Sequence, residues 1–426
     1  MVLLNKTAAI ISSIVVFTVA CALVFSKFAN LPGYNLFSAP IATEWLLFSA
    51  LALLVGIALP AENKFSSMVI WVVFYMHIFP WIMLGSYYIG IHTNIPAVAK
   101  LLDVVSVSII FVLISVISSY ITVKTAGLRI SSKKLLNIHT VIIVVFAVVL
   151  LITLNNIMNI PKYSEIYHQR TIFKYAITTT TGGNIISRLL LIITYTIIPF
   201  SLVFSSYLIQ IDMHKRTAII TSIVSFLASV LIYSIAAFKS TVAVAALSFL
   251  TPVLLHRIRR LATSSTTKLF WLLALAGVVS LTAHLVSQDS RWLLHYFRRI
   301  FIVPGMHDWI YIDIFPAYPP QLVREAPLVV ARLVYGTEGS ANSGLVGSGY
   351  ALGGAIGVII NFCIFCIWLT VANSYSRNLP AAILVPLAVI YGYLFANSAT
   401  TTVLFSYGAI LVPIIFSILS SSVRRL

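Results

Sequence analysis

Apolar runs of about 20 residues recur along almost the whole chain, and no other feature limits its fold so strongly. The run "IHTVIIVVFAVVLLITLNNI" (138–157) is one of them. As a helix, a run of this length matches the hydrocarbon thickness of a bilayer and closes its own backbone hydrogen bonds there. A membrane barrel strand would alternate apolar and polar residues instead. With 60% hydrophobic and 9% charged residues among 426, and a mean hydropathy of +1.04, the chain reads as an all-α, polytopic integral membrane protein.

Twelve spans fit the pattern, over 8–26, 41–60, 67–86, 98–120, 138–157, 185–208, 217–237, 241–256, 268–287, 345–371, 379–397 and 401–420. Only "FKS" separates the seventh from the eighth. The first follows a lysine, as a signal peptide would, but shows no clear small-residue cleavage site, so a retained span is expected. No internal repeat or low-complexity tract divides the chain, and 1–426 is expected to form a single transmembrane domain. The connection 288–344, between spans nine and ten, is the one long enough to carry short helices of its own.

Orientation follows from the short loops. "KTAGLRISSKK" (124–134), "HKR" (214–216), "HRIRR" (256–260), the loop of Arg377 and the final "RRL" share one side when the spans alternate. The positive-inside rule makes that side the cytoplasm, with both termini there and 288–344 outside. The net charge of +17 suits contact with anionic lipids. It does not point to nucleic acid, because the basic residues are spread over membrane-flanking loops. Of the three cysteines, Cys363 and Cys366 lie three apart in one span with no second pair or nearby histidine. They read as packing residues, and no metal site or cofactor is expected.

Against this background the cations left outside are conspicuous, because the same rule disfavours them. They include Lys27, Lys100, Arg188, Lys239, Arg291, Arg298, Arg299, Arg324 and Arg332. Snorkelling to headgroups accounts for Lys27 and Lys100. Five arginines within one loop instead suggest an anionic ligand. Phosphate or diphosphate suits the planar guanidinium fork best.

If "DSRWLLHYFRRIF" (289–301) is a helix, Arg291, His295, Arg298 and Arg299 share one face, while Leu293, Phe297 and Ile300 lie on or near the other. Pro304 and Gly305 are expected to end that helix. An interfacial anchor and an anion site both remain open readings of it. Arg188 and Lys239, at the outer ends of spans, can join the same cradle. Candidate general bases outside are His168, His295, His307, Asp308, Asp313, Glu325 and Glu338. For the aspartates and Glu325 a salt-bridge role is an equal alternative. The stretch "EGSANSGLVGSGYALGGAIG" (338–357) repeats glycine every four residues at 349, 353 and 357, a pattern that lets another helix approach closely. Ser340, Asn342 and Ser343 precede it, where a helix N-terminus favours anions.

Two stretches carry a resemblance. "RRIFIVPGMHDWIYIDIF" (298–315) resembles the segment of O-antigen and capsule repeat-unit polymerases (the Wzy class) that runs arginine pair, Phe, Pro-Gly, then Tyr, Asp and aromatics. "ANSGLVGSGYALGGAIG" (341–357) is similar to that family's loop-to-helix segment, and the outward "FKS" fits as well. The remainder agrees in kind: a dozen spans and one long outer loop. The resemblance implies a glycosyltransferase-C-like fold in the bacterial cytoplasmic (inner) membrane, with 288–344 periplasmic. It implies transfer of the growing glycan from an undecaprenyl-diphosphate-linked oligosaccharide to a fresh lipid-linked repeat unit, with no cofactor. Its partners would be that lipid-linked substrate, membrane lipids, a flippase and a chain-length regulator. In this reading Arg188, Lys239, Arg291, Arg298, Arg299, Arg324 and Arg332 hold the diphosphate. His307, Asp308, Asp313 and Glu325 are the catalytic candidates, and His295, Ser340, Asn342 and Tyr311 meet the sugars. The related ligases place a His-Asn pair where this chain has Ala341-Asn342, which lowers the ligase alternative. A lipid-linked oligosaccharide flippase is the other, although mid-span charges are few.

Overall fold

The computed structural model describes residues 2–28, 30–91, 96–123, 130–154, 157–158, 165–179, 183–237, 239–258, 298–315, 325–337 and 340–423. Among them the protein is helical, with no strand. In chain order the helices used below are α1 (Val2–Phe28), α2 (Ala42–Ala58), α3 (Phe65–Gly85), α4 (Ala97–Tyr120), α5 (Ser132–Leu154), α6 (Ile166–Thr179) and α7 (Ile185–Gln210). They continue as α8 (Lys215–Ala236), α9 (Lys239–Ile258), α10 (Val303–Ile314), α11 (Ala326–Tyr335), α12 (Leu345–Ser376), α13 (Ala381–Asn397) and α14 (Val412–Val423). Six of these, α3, α4, α5, α7, α8 and α12, are long and apolar enough to cross a membrane. Outward rows of apolar residues, such as Val98, Leu102, Ile109 and Leu113 on α4, suit a lipid surrounding. The chain is therefore a helical, membrane-embedded protein. The expected span 268–287 and the start of the long loop lie outside the described residues.

The chain divides into two compact units. One comprises Met1–Thr122, Ser264–Thr370 and Gly392–Thr400; the other comprises Val123–Thr263, Val371–Tyr391 and Thr401–Leu426. In the second unit, Ile143, Phe146 and Leu150 of α5 pack with Leu202 of α7 and Ile232 of α8. Apolar contact gives little net drive between helices when lipid is the alternative, so close packing and interhelical hydrogen bonds matter more. The unit supplies them through Thr140–Thr221 at 2.8 Å, Ser205–Ser222 at 2.7 Å and His139–Ser201 at 3.1 Å.

The first unit is built around α3, which is buried along its whole length. A π-turn, Phe74–Ile78, interrupts it just before Pro80, and the Phe79 N–H bonds Phe74 O five residues back. The same sequence of events recurs at Ile193–Ile197 before Pro199 and at Arg298–Ile302 before Pro304. Proline lacks a donor and crowds the carbonyl four residues back, and a widened turn takes up both defects. Pro304 and Gly305 consequently do not terminate a helix, contrary to the expectation from sequence. Pro304 lies in the first turn of α10, where a missing N–H costs nothing, and the helix runs on to Ile314.

Gly305 explains how α10 reaches the centre. A Cβ at this position would lie 2.9 Å from Trp81 N and 3.1 Å from the Pro80 carbonyl carbon, so α10 meets α3 backbone to backbone. Trp309 stacks on Trp81 and Tyr88 at centroid distances of 5.4 and 5.7 Å, and its Nε1 donates to Trp81 O at 2.8 Å. At the far end Asp313 accepts from Tyr88 Oη at 2.8 Å and from the Ile91 N–H at 2.6 Å. Lys100 does not snorkel as expected. It is buried, 3.2 Å from Glu44 and 3.1 Å from Tyr88 O, because the carboxylate and carbonyl offer it partners inside the unit.

The glycine stripe also departs from expectation. Gly353 and Gly354 break α12, and Gly354 adopts φ 60°, ψ −142°, which is open essentially to glycine alone. Gly349 and Gly357 are not a landing strip for another helix. They sit where the two arms of α12 fold against each other, since a Cβ on Gly349 would lie 2.6 Å from Val358 Cα. Asn361 ties the arms by donating to Leu345 O at 3.2 Å and to Ser348 Oγ at 2.9 Å.

Candidate functional site

The start of α10 brings together three groups that an apolar interior does not ordinarily hold. The first is Arg298, at the head of the π-turn, which is 9% exposed. Its Nη1 donates to Tyr34 Oη at 2.7 Å, and the guanidinium lies over the rings of Phe28 and Tyr34, at 4.7 and 5.4 Å from their centroids. A phenol hydroxyl and two ring faces thus lie against the guanidinium. Tyr34 is presented by a turn in which Gly33 has φ +86° and a Cβ would strike the Tyr335 ring. Burial pushes the Tyr34 phenol up, and the charge and hydrogen bond of Arg298 oppose that shift.

The second group is His307. Its Nδ1 is 2.6 Å from the main-chain oxygen of Asn342, and its Nε2 is 3.0 Å from Tyr335 Oη. A carbonyl only accepts, so Nδ1 carries the proton and Nε2 takes the Tyr335 hydroxyl proton as acceptor. Burial pushes the imidazole down to about 4; Arg299 and Arg298 act in the same direction, while the Asn342 carbonyl and Asp308 oppose it. At neutral pH the ring is therefore uncharged, with the unprotonated Nε2 facing a hydroxyl.

Behind it lies a sealed layer. Asp308 Oδ2 is 3.0 Å from His77 Nε2, both side chains are wholly buried, and their alignment falls short of a formed hydrogen bond. His77 comes from the π-turn of α3. The beginning of α12 closes over the pair at two glycines: a Cβ on Gly347 would lie 2.8 Å from Asp308 Oδ1, and one on Gly344 would overlap the His77 ring.

No protein-family model, curated protein or solved structure matches this chain.

Of the cations expected to form a cradle, Arg298, Arg299 and Arg332 are described in the first unit; Arg299 and Arg332 are exposed. Arg188 is exposed on α7, and Lys239 opens α9, both in the second unit. Arg291, His295, Arg324, Glu338 and the rest of 289–297 lie outside the described residues. Among the catalytic candidates, His307 and Asp308 fall side by side at the start of α10. Asp313 is committed to Tyr88 and Ile91, and Glu325 is exposed at the residue preceding α11. Tyr311 is buried and donates to Ala341 O at 2.8 Å, while Ser340 Oγ donates to Asn342 Oδ1 at 2.7 Å.

Sequence reasoning missed His77, Tyr34 and Tyr335. His77 had a usable signal: "FYMHIFPW" puts an ionisable group inside an apolar run, where its presence is costly. Nothing local in the sequence marks Tyr335 as the partner of an imidazole 28 residues away.

Proposed function

We propose that this protein is a glycosyltransferase that polymerises polyprenyl-diphosphate-linked oligosaccharide repeat units at the outer face of the bacterial cytoplasmic membrane. The observation that carries the reading is the pairing of chemistries at the head of α10: a buried guanidinium lying against Phe28 and Tyr34, beside an uncharged imidazole whose Nε2 can accept a proton. Glycosyl transfer from a diphosphate needs both. The acceptor sugar hydroxyl takes the place of Tyr335 Oη at His307 Nε2 and gives up its proton there. Its oxygen forms the new bond to the anomeric carbon as the bond from that carbon to the diphosphate oxygen breaks. Arg298, with exposed Arg299 next to it, meets the charge that develops on the departing lipid diphosphate. The donor is already activated, so positioning and charge stabilisation are the main tasks left to the protein.

In this reading the twelve spans of the hydropathy pattern cross the membrane, 288–344 faces the periplasm and both termini lie in the cytoplasm. A ligase-like transfer is the second reading, and one contact favours it. Position 341 is alanine, yet His307 reaches the main chain of Asn342, so an imidazole and this asparagine do meet.

A strain lacking the gene separates these readings by gel analysis of its surface polysaccharide. If the protein is the polymerase, its loss is expected to leave a single repeat unit on the acceptor and no ladder. Loss of every transferred unit would favour the ligase or a flippase, and an unchanged ladder would overturn the proposal.

A further inference from the structure

We infer that Asp308 and His77 form a sealed carboxylate–imidazole pair behind His307 and serve the reaction through it, as positioning residues that never touch substrate. The inference rests on the transferase reading and adds to it a second layer.

Three segments far apart in sequence supply the pair: the π-turn of α3 gives His77, α10 gives Asp308, and the head of α12 closes over both. Nothing about stability calls for this arrangement. Two ionisable groups with no exposure carry a desolvation penalty of several kcal/mol, and well-packed apolar residues of similar volume are commonly as stable or more so. The packing has nevertheless been cut to fit them. Side chains at positions 344 and 347 would collide with the imidazole and with the carboxylate, so glycine stands at both. Among the described residues, Asp308 Oδ1 and Oδ2 and both His77 nitrogens have no formed hydrogen bond. A carboxylate buried in this way acts over a longer range than one in water, because the interior around it is a poor dielectric.

The adjacent residue is where that reach matters. During transfer His307 gains a proton on Nε2, keeps the proton on Nδ1 against Asn342 O, and becomes a cation in a water-poor site. The groups facing it are Arg298 and Arg299 from the π-turn, Tyr335 from α11 with Arg332 on that helix's exposed side, Tyr34 beside Arg298, His77 from α3, and Asp308 on α10 itself. The arginines needed for the leaving group oppose the imidazolium. Asp308 is the anion that offsets them, and His77 keeps that carboxylate in place. No proton is transferred to Asp308; it acts through charge and position alone.

The test uses the full-length protein in lipid vesicles, with histidine side chains isotopically labelled and the His307 resonance assigned by its loss in His307→Gln. Following that resonance from pH 3 to pH 8 in the native protein and in Asp308→Asn reads the imidazole without reference to any substrate. A midpoint lower by about one pH unit in Asp308→Asn is expected, the size of a single nearby charge in a poorly solvated site. The same vesicles supplied with lipid-linked repeat unit should then show transfer per folded molecule reduced severalfold, up to about tenfold, at pH 7, with the acid limb of the rate displaced in the same direction. His77→Gln should move both readouts the same way, which keeps the test available where Asp308→Asn does not fold. An unmoved His307 midpoint in a folded variant overturns the pair's role. A moved midpoint in a protein that transfers nothing, even in its native form, keeps the pair and overturns the transferase reading instead.

Discussion

Arg298 shows how much a single side chain is asked to do. Its guanidinium bonds Tyr34 and stacks on two rings while keeping its charge, and an ammonium cannot reproduce both the planar stacking and the directed hydrogen bond. Arg298→Ala and Arg298→Lys are therefore both expected to abolish the polysaccharide ladder, each costing at least about 3 kcal/mol of transition-state stabilisation, or about a hundredfold in rate. A normal ladder from Arg298→Lys would show that only charge is required. His307 carries a pH prediction whose sign follows from its burial. Its folded value of about 4 lies below the ordinary 6.5, so an unfolded chain binds the proton first and stability falls as pH drops from about 6.5 towards 4. Thermal unfolding at pH 7 and pH 5 checks this: the native protein should lose stability on acidification, and His307→Gln should lose measurably less. The arginine pair, His307 and Asp308 were visible in the sequence because charge stands out in a chain that is 9% charged. Tyr34 and Tyr335 were not visible, since a tyrosine among 20 announces no partner, and the contacts that single these two out join residues far apart in the chain.

At the scale of the helix, glycine and proline decide where backbones touch and where they break. Gly305 lets α10 rest on the Pro80–Trp81 backbone, so Gly305→Ala should push the two helices apart and cost roughly 1–3 kcal/mol, read as reduced thermal stability of the solubilised protein. Gly354→Ala should cost a similar ~1–3 kcal/mol for a different reason. Nothing lies within 4 Å of a Cβ there, and the penalty is the strained backbone at φ 60°, ψ −142°. A stability unchanged by Gly354→Ala would mean that the break in α12 lies elsewhere. These two elements are also where the sequence was least legible. Pro304-Gly305 carries the ordinary signature of a helix end, and only the π-turn before it turns the proline into a first-turn residue. Glycines spaced by four fit a helix-packing stripe and a folded-back pair of arms equally well, and a local pattern does not contain the contact that separates them.

For the whole molecule, the apolar runs foretold helices well because a membrane leaves a spanning backbone few other ways to satisfy its polar groups. Helices α4, α7 and α8 begin and end within a few residues of their expected bounds, while α5 starts and ends earlier than its expected span 138–157. What hydropathy could not foretell is that α10, in the expected long loop, would be buried almost on every side. Sidedness is the property on which the functional reading depends, because a lipid diphosphate carrying a finished repeat unit is met at the outer face. Residues 131 and 337 test it: both are exposed, Ser131 in the basic stretch 124–134 and Thr337 in the long connection 288–344. In a background with Cys21, Cys363 and Cys366 replaced by serine, Thr337→Cys should react with a membrane-impermeant maleimide added to intact spheroplasts. Ser131→Cys should react only after permeabilisation. The opposite pattern would place Arg298 and His307 on the cytoplasmic side, where the same pair of chemistries would have to act on a different donor.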